Sequence, residues 1–141
     1  MFEELSGQGK SRFWFPVDSN YLAAAKRAAK TVKLANTDVE GRELNHKPAV
    51  HIGGGGVTGT AFVDNKDFRK WAHSTFDARV LDMETGAIAQ VAEANGVSFL
   101  AFRALSDLAG GESGDNQFDI FMSLAGGNLA DLLETFLNEL K

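Results

Sequence analysis

Nine residues, Val97-Ser98-Phe99-Leu100-Ala101-Phe102-Arg103-Ala104-Leu105, constrain this chain more than any others, because only Ser98 and Arg103 interrupt an apolar run. Such a run suits a strand covered on both faces, at the centre of a sheet flanked by helices. The residues before it read as a helix opening at Asp82. There Ala87, Ile88, Val91 and Ala92 recur at helical spacing, and Asn95-Gly96 supplies the stop. Upstream, Leu22, Ala25, Ala29 and Val32 define an amphipathic helix from Ser19, capped by Asp18 or Ser19. Its basic stripe of Lys26, Arg27, Lys30 and Lys33 reads as a solvated face. Ala49, Val50 and Ile52 lead into Gly53-Gly54-Gly55-Gly56-Val57 as a strand, residues 64–76 as a short helix, and residues 79–81 as another strand. Residues 107–117 form a polar loop. A long amphipathic helix with Phe121, Leu124, Leu129, Leu132, Leu133, Phe136 and Leu140 closes the chain. Gly126-Gly127 inside it predicts close backbone packing or a kink, since glycine weakens a helix interior by about 1 kcal/mol against alanine. The alternation of helices and strands predicts an α/β layered domain.

Composition narrows the function classes. With 14 basic against 19 acidic side chains the formal charge is −5, which argues against a broad phosphate-neutralising face and so against a nucleic-acid partner. No run of about twenty apolar residues predicts a membrane span, and Met1-Phe2-Glu3-Glu4 lacks the basic and apolar start of a secretory signal. The absence of cysteine removes disulfides and thiolate chemistry, and is compatible with a reducing, cytoplasmic location.

Several motifs fail on their surroundings. Gly9-Lys10-Ser11 matches the end of a phosphate-binding P-loop, but the first glycine of that pattern is replaced by Glu4. The glycines at 53–56 are followed by extended chain instead of a helix, so a structural use is expected. His46, His51 and His73 lie far apart without carboxylates at ligand spacing, and neither a metal site nor a cofactor is expected. No serine sits in a nucleophile-elbow pattern. Two carboxylates stand out: Glu84 in the first turn of a helix directly after a strand, and Asp107 just past the apolar run. Spacing alone leaves both a dipole or turn role and a site role open.

The stretch Val80-Leu81-Asp82-Met83-Glu84-Thr85-Gly86-Ala87-Ile88-Ala89-Gln90-Val91, then Phe99-Leu100-Ala101-Phe102-Arg103-Ala104-Leu105-Ser106-Asp107, preceded by Thr58-Gly59-Thr60-Ala61-Phe62-Val63, resembles the nucleoside phosphorylase superfamily. The resemblance runs from about Phe13 to the end and is nearest to 5′-methylthioadenosine/S-adenosylhomocysteine nucleosidases and bark storage proteins. It implies a three-layer αβα phosphorylase/hydrolase-like fold, of which residues 1–141 would form the carboxyl-terminal half. It also implies roles: Phe62 stacking on a purine, the Val63 backbone bonding the base edge, Met83 packing on the ribose, and Glu84 gripping the ribose hydroxyls. Asp107, oriented by Ser106, would protonate the leaving base, and Phe118 would cover the pocket. Such chemistry needs a carboxylate beside an oxocarbenium-like sugar and an acid for the leaving group.

Purine phosphorylases of the superfamily usually carry a basic residue after the Ser-Asp pair, and none stands between Arg103 and Lys141 here. The resemblance therefore implies a purine nucleosidase acting on a small-molecule nucleoside, with a phosphorylase or a non-catalytic storage-type protein as alternatives. Family members are nearly twice as long, and their first half supplies the water-activating glutamate. The chain alone is accordingly expected to be inactive, and to form a homo-oligomer (dimer) or a complex with the missing amino-terminal half.

Overall fold

A computed structural model describes residues 13–111 and 118–141. Gly9-Lys10-Ser11, Glu4 and the stretch 112–117 lie outside them. In chain order the elements are α1 (Ser19–Thr31), β1 (Gly55–Thr58), α2 (Lys66–Phe76), β2 (Ala78–Asp82), α3 (Thr85–Ala94) and α4 (Phe118–Asn138). This is an α/β arrangement in which α2 connects two parallel strands.

Helix α1 starts where the sequence places it, because the Asp18 side chain accepts from the Asn20 and Tyr21 backbone amides at 2.8 and 3.0 Å. The same carboxylate accepts from Ser98 Oγ at 2.7 Å, and the Asp18 amide donates to the Phe99 carbonyl, so one residue fixes both a helix start and the segment beside it. The buried stripe of α1 is Ala24, Ala25 and Ala28, one step round from the predicted one. Small side chains there let α4 approach closely, with Leu132 and Phe136 packing on them. Phe136 anchors this cluster edge-on to Tyr21 and Phe102, at centroid distances of 6.1 and 5.0 Å. Burying a phenylalanine of this kind contributes about 1.5–3 kcal/mol. Arg27 closes the pair by donating to Glu139 Oε2 and the Glu139 carbonyl at 2.6 and 2.8 Å.

By length and composition α4 could cross a membrane, since an 18-residue window within Asp119–Asn138 reaches a mean hydropathy of 1.2. In keeping with the expectation that the chain has no continuous apolar run of about twenty residues, Asn128, Asp131 and Glu134 interrupt the helix. Its packing on α1 makes it a helix of the folded domain. Of the two readings of Gly126 and Gly127, close backbone packing is ruled out, since a Cβ at either would meet nothing within 4 Å, and α4 continues through both.

The sheet pairs Gly56 with Val80, Val57 with Leu81 and Thr58 with Asp82. It is smaller than the sequence predicts. The strand expected from residue 49 begins at Gly55, and the apolar run 97–105, expected to form the central strand, has no regular secondary structure and joins no ladder among the described residues. An apolar run reports a tendency to be buried, whereas a strand also needs a neighbouring backbone to exchange hydrogen bonds with. Within that run Leu100 and Phe102 do pack on the α1–α4 core. Helix α3 opens at Thr85, not Asp82, because Asp82 still pairs in β2; its stop at Asn95-Gly96 is as predicted, with Gly96 left-handed at φ 64°. The face of α3 carrying Ile88 and Val91 is exposed, as are Val97 and Leu105, and among the described residues no large side chain is fully buried.

Candidate active site

The carboxyl ends of β1 and β2 lie side by side, so Thr58 and Asp82 face each other as register partners. Thr58 Oγ1 donates to Asp82 Oδ1 at 2.6 Å and accepts from the Gly86 amide at 2.8 Å. The Thr85 amide donates to the same carboxylate at 3.2 Å, and the Gly59 amide to the Asp82 carbonyl at 2.9 Å. Position 86 must be glycine for this approach, since a Cβ there would stand 2.9 Å from the Thr58 Cβ. The result is one hydroxyl and one carboxylate tying both strand ends to the first turn of α3.

Asp82 is the buried charge of the site, with 3% of its side chain exposed. Burial pushes its carboxyl up, but the hydrogen bonds from Thr58 and Thr85 and the nearby Arg103 guanidinium outweigh that and hold it below the ordinary carboxylate value. Arg103 Nε lies 3.4 Å from Asp82 Oδ2, while Arg103 Nη2 donates to Glu84 Oε2 at 2.8 Å. One guanidinium therefore bridges two carboxylates, and the interruption of the apolar run at 103 has a purpose.

Glu84 occupies the N-cap position of α3 but makes no capping hydrogen bond. Asp82, three residues before Thr85, takes over that duty, which leaves Glu84 turned outward to Arg103 and half-exposed. The chain that carries Arg103 continues to Ser106 and Asp107, four residues on and at most about 14 Å away. There Ser106 Oγ donates to Asp107 Oδ1 at 2.5 Å, and Asp107 itself is exposed. This segment is fastened from its far side too. The Gly110 amide donates to Asp64 Oδ1 at 2.6 Å, and Gly110, at φ 66°, sits so close to the start of α2 that a Cβ would meet the Lys66 amide nitrogen.

Of the predicted site residues, the structure thus ties Glu84, through Arg103, to the segment that leads to Ser106 and Asp107. Met83 lies beside Glu84 and is exposed; Phe62 and Val63 lie in the loop between β1 and α2, Phe62 76% exposed and Val63 half-buried. Phe118 opens α4, and its side chain lies outside the described residues. Asp82, Arg103 and the Asp64–Gly110 contact carry the geometry without having been assigned roles from sequence. The Asp-x-x-Thr spacing of an N-cap marks Asp82 in retrospect; nothing local marks the pairing of Asp64 with Gly110. The imidazole Nδ1 of His46 lies 2.8 Å from Asn45 Oδ1 and that of His73 3.1 Å from the Ala78 carbonyl. Among the described residues no three histidine or carboxylate side chains gather as metal ligands.

The family model described as Phosphorylase superfamily matches residues 6–138. Bark storage protein A of Populus deltoides is 28% identical over 114 residues, covering 81% of this chain and 36% of that protein. The 5′-methylthioadenosine/S-adenosylhomocysteine nucleosidase of Psychromonas ingrahamii is 32% identical over 127 residues, 89% of this chain and 48% of the enzyme. The enzyme of that name from Bacillus licheniformis is 35% identical over 113 residues, 79% and 47% respectively. The chain spans less than half the length of these relatives. No solved structure gives a significant match.

Proposed function

The chain belongs to the phosphorylase superfamily, and on that premise we propose that it carries the base- and ribose-facing side chains of a purine nucleosidase of the methylthioadenosine/S-adenosylhomocysteine type. The observation that carries the reading is the Arg103 bridge, which holds Glu84 at the carboxyl end of the parallel strands and fixes the segment leading to Asp107 beside it. Ligands of open α/β sheets bind at that end.

In this reading Glu84 accepts from the ribose hydroxyls through the oxygen not engaged by Arg103, and its charge favours the oxocarbenium-like sugar as the glycosidic bond breaks. Asp107, oriented by the Ser106 hydroxyl, gives its proton to the purine so that the base departs neutral. The exposed surfaces of Phe62 and Met83 offer apolar area to the purine and the ribose. The uncovered apolar face of α3, with Ile88 and Val91, supports a further reading in which another segment or a second copy packs there to complete the domain.

Calorimetric titration with adenine and with 5′-methylthioadenosine tests the assignment. Saturable binding of both is expected, the nucleoside more tightly because only it reaches Glu84. Failure to bind either would overturn the reading, and tight binding without any adenine release would favour the non-catalytic, storage-type alternative.

A further inference from the structure

At the other end of β2 from Asp82, the structure has an open cleft of about 500 Å³ lined by Arg69, Lys70, His73, Ala78 and Arg79. Arg69 and His73 are four residues apart on one face of α2. The chain then reverses through Asp77, in the left-handed conformation at φ 49°, and β2 brings Arg79 back alongside them. The reversal is fastened by His73, whose Nδ1 lies 3.1 Å from the Ala78 carbonyl. A carbonyl only accepts, so Nδ1 carries the proton.

Three permanently cationic residues, Arg69, Lys70 and Arg79, therefore line one cleft in a chain whose formal charge is −5. Asp67 and Asp77 are near in sequence, but neither lines the cleft, and among the described residues no carboxylate forms an ion pair with Arg69, Lys70 or Arg79. A second observation is independent of the charge count. Arg69 Nη1 is buried without a hydrogen-bond partner, alone in this among the side-chain atoms of the described residues. A buried guanidinium nitrogen without an acceptor is costly, and an anion bound against it removes that cost. We infer that this cleft binds a phosphoryl group, either free phosphate or the phosphate of a small molecule. A tetrahedral oxyanion supplies the acceptor that Nη1 lacks after a rotation of the Arg69 side chain, and it neutralises like charges that otherwise repel. The volume is in the range of small-molecule sites, with room for an organic body beside the anion. The inference does not depend on the nucleosidase reading, because the cleft shares no residue with the Glu84–Asp107 region.

The test is an amide-resolved NMR titration of the 141-residue chain with inorganic phosphate and with phenyl phosphate, against chloride at matched ionic strength. Saturable shifts are expected at residues 69–73 and 78–79. Tighter binding of phenyl phosphate identifies a phosphomonoester as the ligand, and equal binding identifies phosphate itself. The double variant Lys70→Gln/Arg79→Gln, which changes exposed side chains only, is expected to weaken binding by about tenfold or more. Shifts reproduced by chloride, shifts confined to residues 103–107, or unchanged affinity in the double variant would each overturn the inference.

Discussion

Replacing Asp82 by asparagine removes a buried charge while keeping its shape. Asparagine retains Oδ1 as an acceptor for Thr58 Oγ1 and the Thr85 amide, which lie 2.6 and 3.2 Å from it. Both bonds survive as neutral ones, and the change from a charged to a neutral acceptor costs about 1 kcal/mol each. On the other side the new amide group turns a donor toward Arg103 Nε, 3.4 Å from the present Oδ2. Because Arg103 is 38% exposed, solvent screens the lost attraction, and about 1 kcal/mol is a fair share for it. The expected loss is about 3 kcal/mol. Asp82→Ala leaves the Thr58 hydroxyl, the Thr85 amide and Arg103 without their acceptor and costs about 3–5 kcal/mol.

The pH dependence has a definite sign. The folded-state pKa of Asp82 is depressed, so its contribution is fully present above the unfolded value of about 3.9 and is lost as pH falls through the lower folded value. Urea unfolding followed by far-UV circular dichroism is expected to show a constant gap between wild type and Asp82→Asn from pH 7 to about 5, closing below about 4. A gap under about 0.5 kcal/mol at pH 7, or one that is unchanged at pH 3, would refute the reasoning.

Three further outcomes follow from named contacts. Gly126→Ala and Gly127→Ala are each expected to stabilise the chain by about 1 kcal/mol, because both glycines are exposed in a helix interior with open space where a Cβ would stand; a lower thermal midpoint in either variant would contradict this. Gly110→Ala is expected to destabilise by more than about 1 kcal/mol, through its positive φ and the overlap with Lys66, and to speed amide exchange at residues 105–111. Unchanged exchange there would mean that the Asp64 contact does not hold the loop. Glu84→Gln is expected to weaken 5′-methylthioadenosine about tenfold while leaving adenine unaffected; an equal loss for both ligands in the titration would remove the ribose role.

What the sequence made legible was whatever is encoded locally. Asp18 capping α1, the helical spacing of α4 and the Asn95-Gly96 stop depend on side chains within a few residues of one another, and all three are found. The run 97–105 suggested a strand covered on both faces, yet none of its residues is buried and it joins no ladder among the described residues, because both cover and hydrogen-bond neighbours must come from distant parts of a fold. The alanine stripe of α1 shifts by one step for a similar reason: which residues of a helix are covered depends on the helix that packs on it, here α4. In the candidate site, Glu84 stood out as following the segment that becomes β2, and Asp107 as following the apolar run, which forms no strand among the described residues. The Arg103 bridge and the Asp64–Gly110 fastening join residues 19 to 46 positions apart, and such pairings emerge only once the chain is folded.

The most direct measurement for the nucleosidase reading is adenine release from 5′-methylthioadenosine by protein containing this segment, compared between wild-type Asp107 and Asp107→Asn. Asparagine keeps the size and the hydrogen bond from Ser106 but has no proton to give, so release is expected to fall by about 10²- to 10⁴-fold while adenine still binds. Release unchanged by Asp107→Asn would contradict the assignment of Asp107 as the acid.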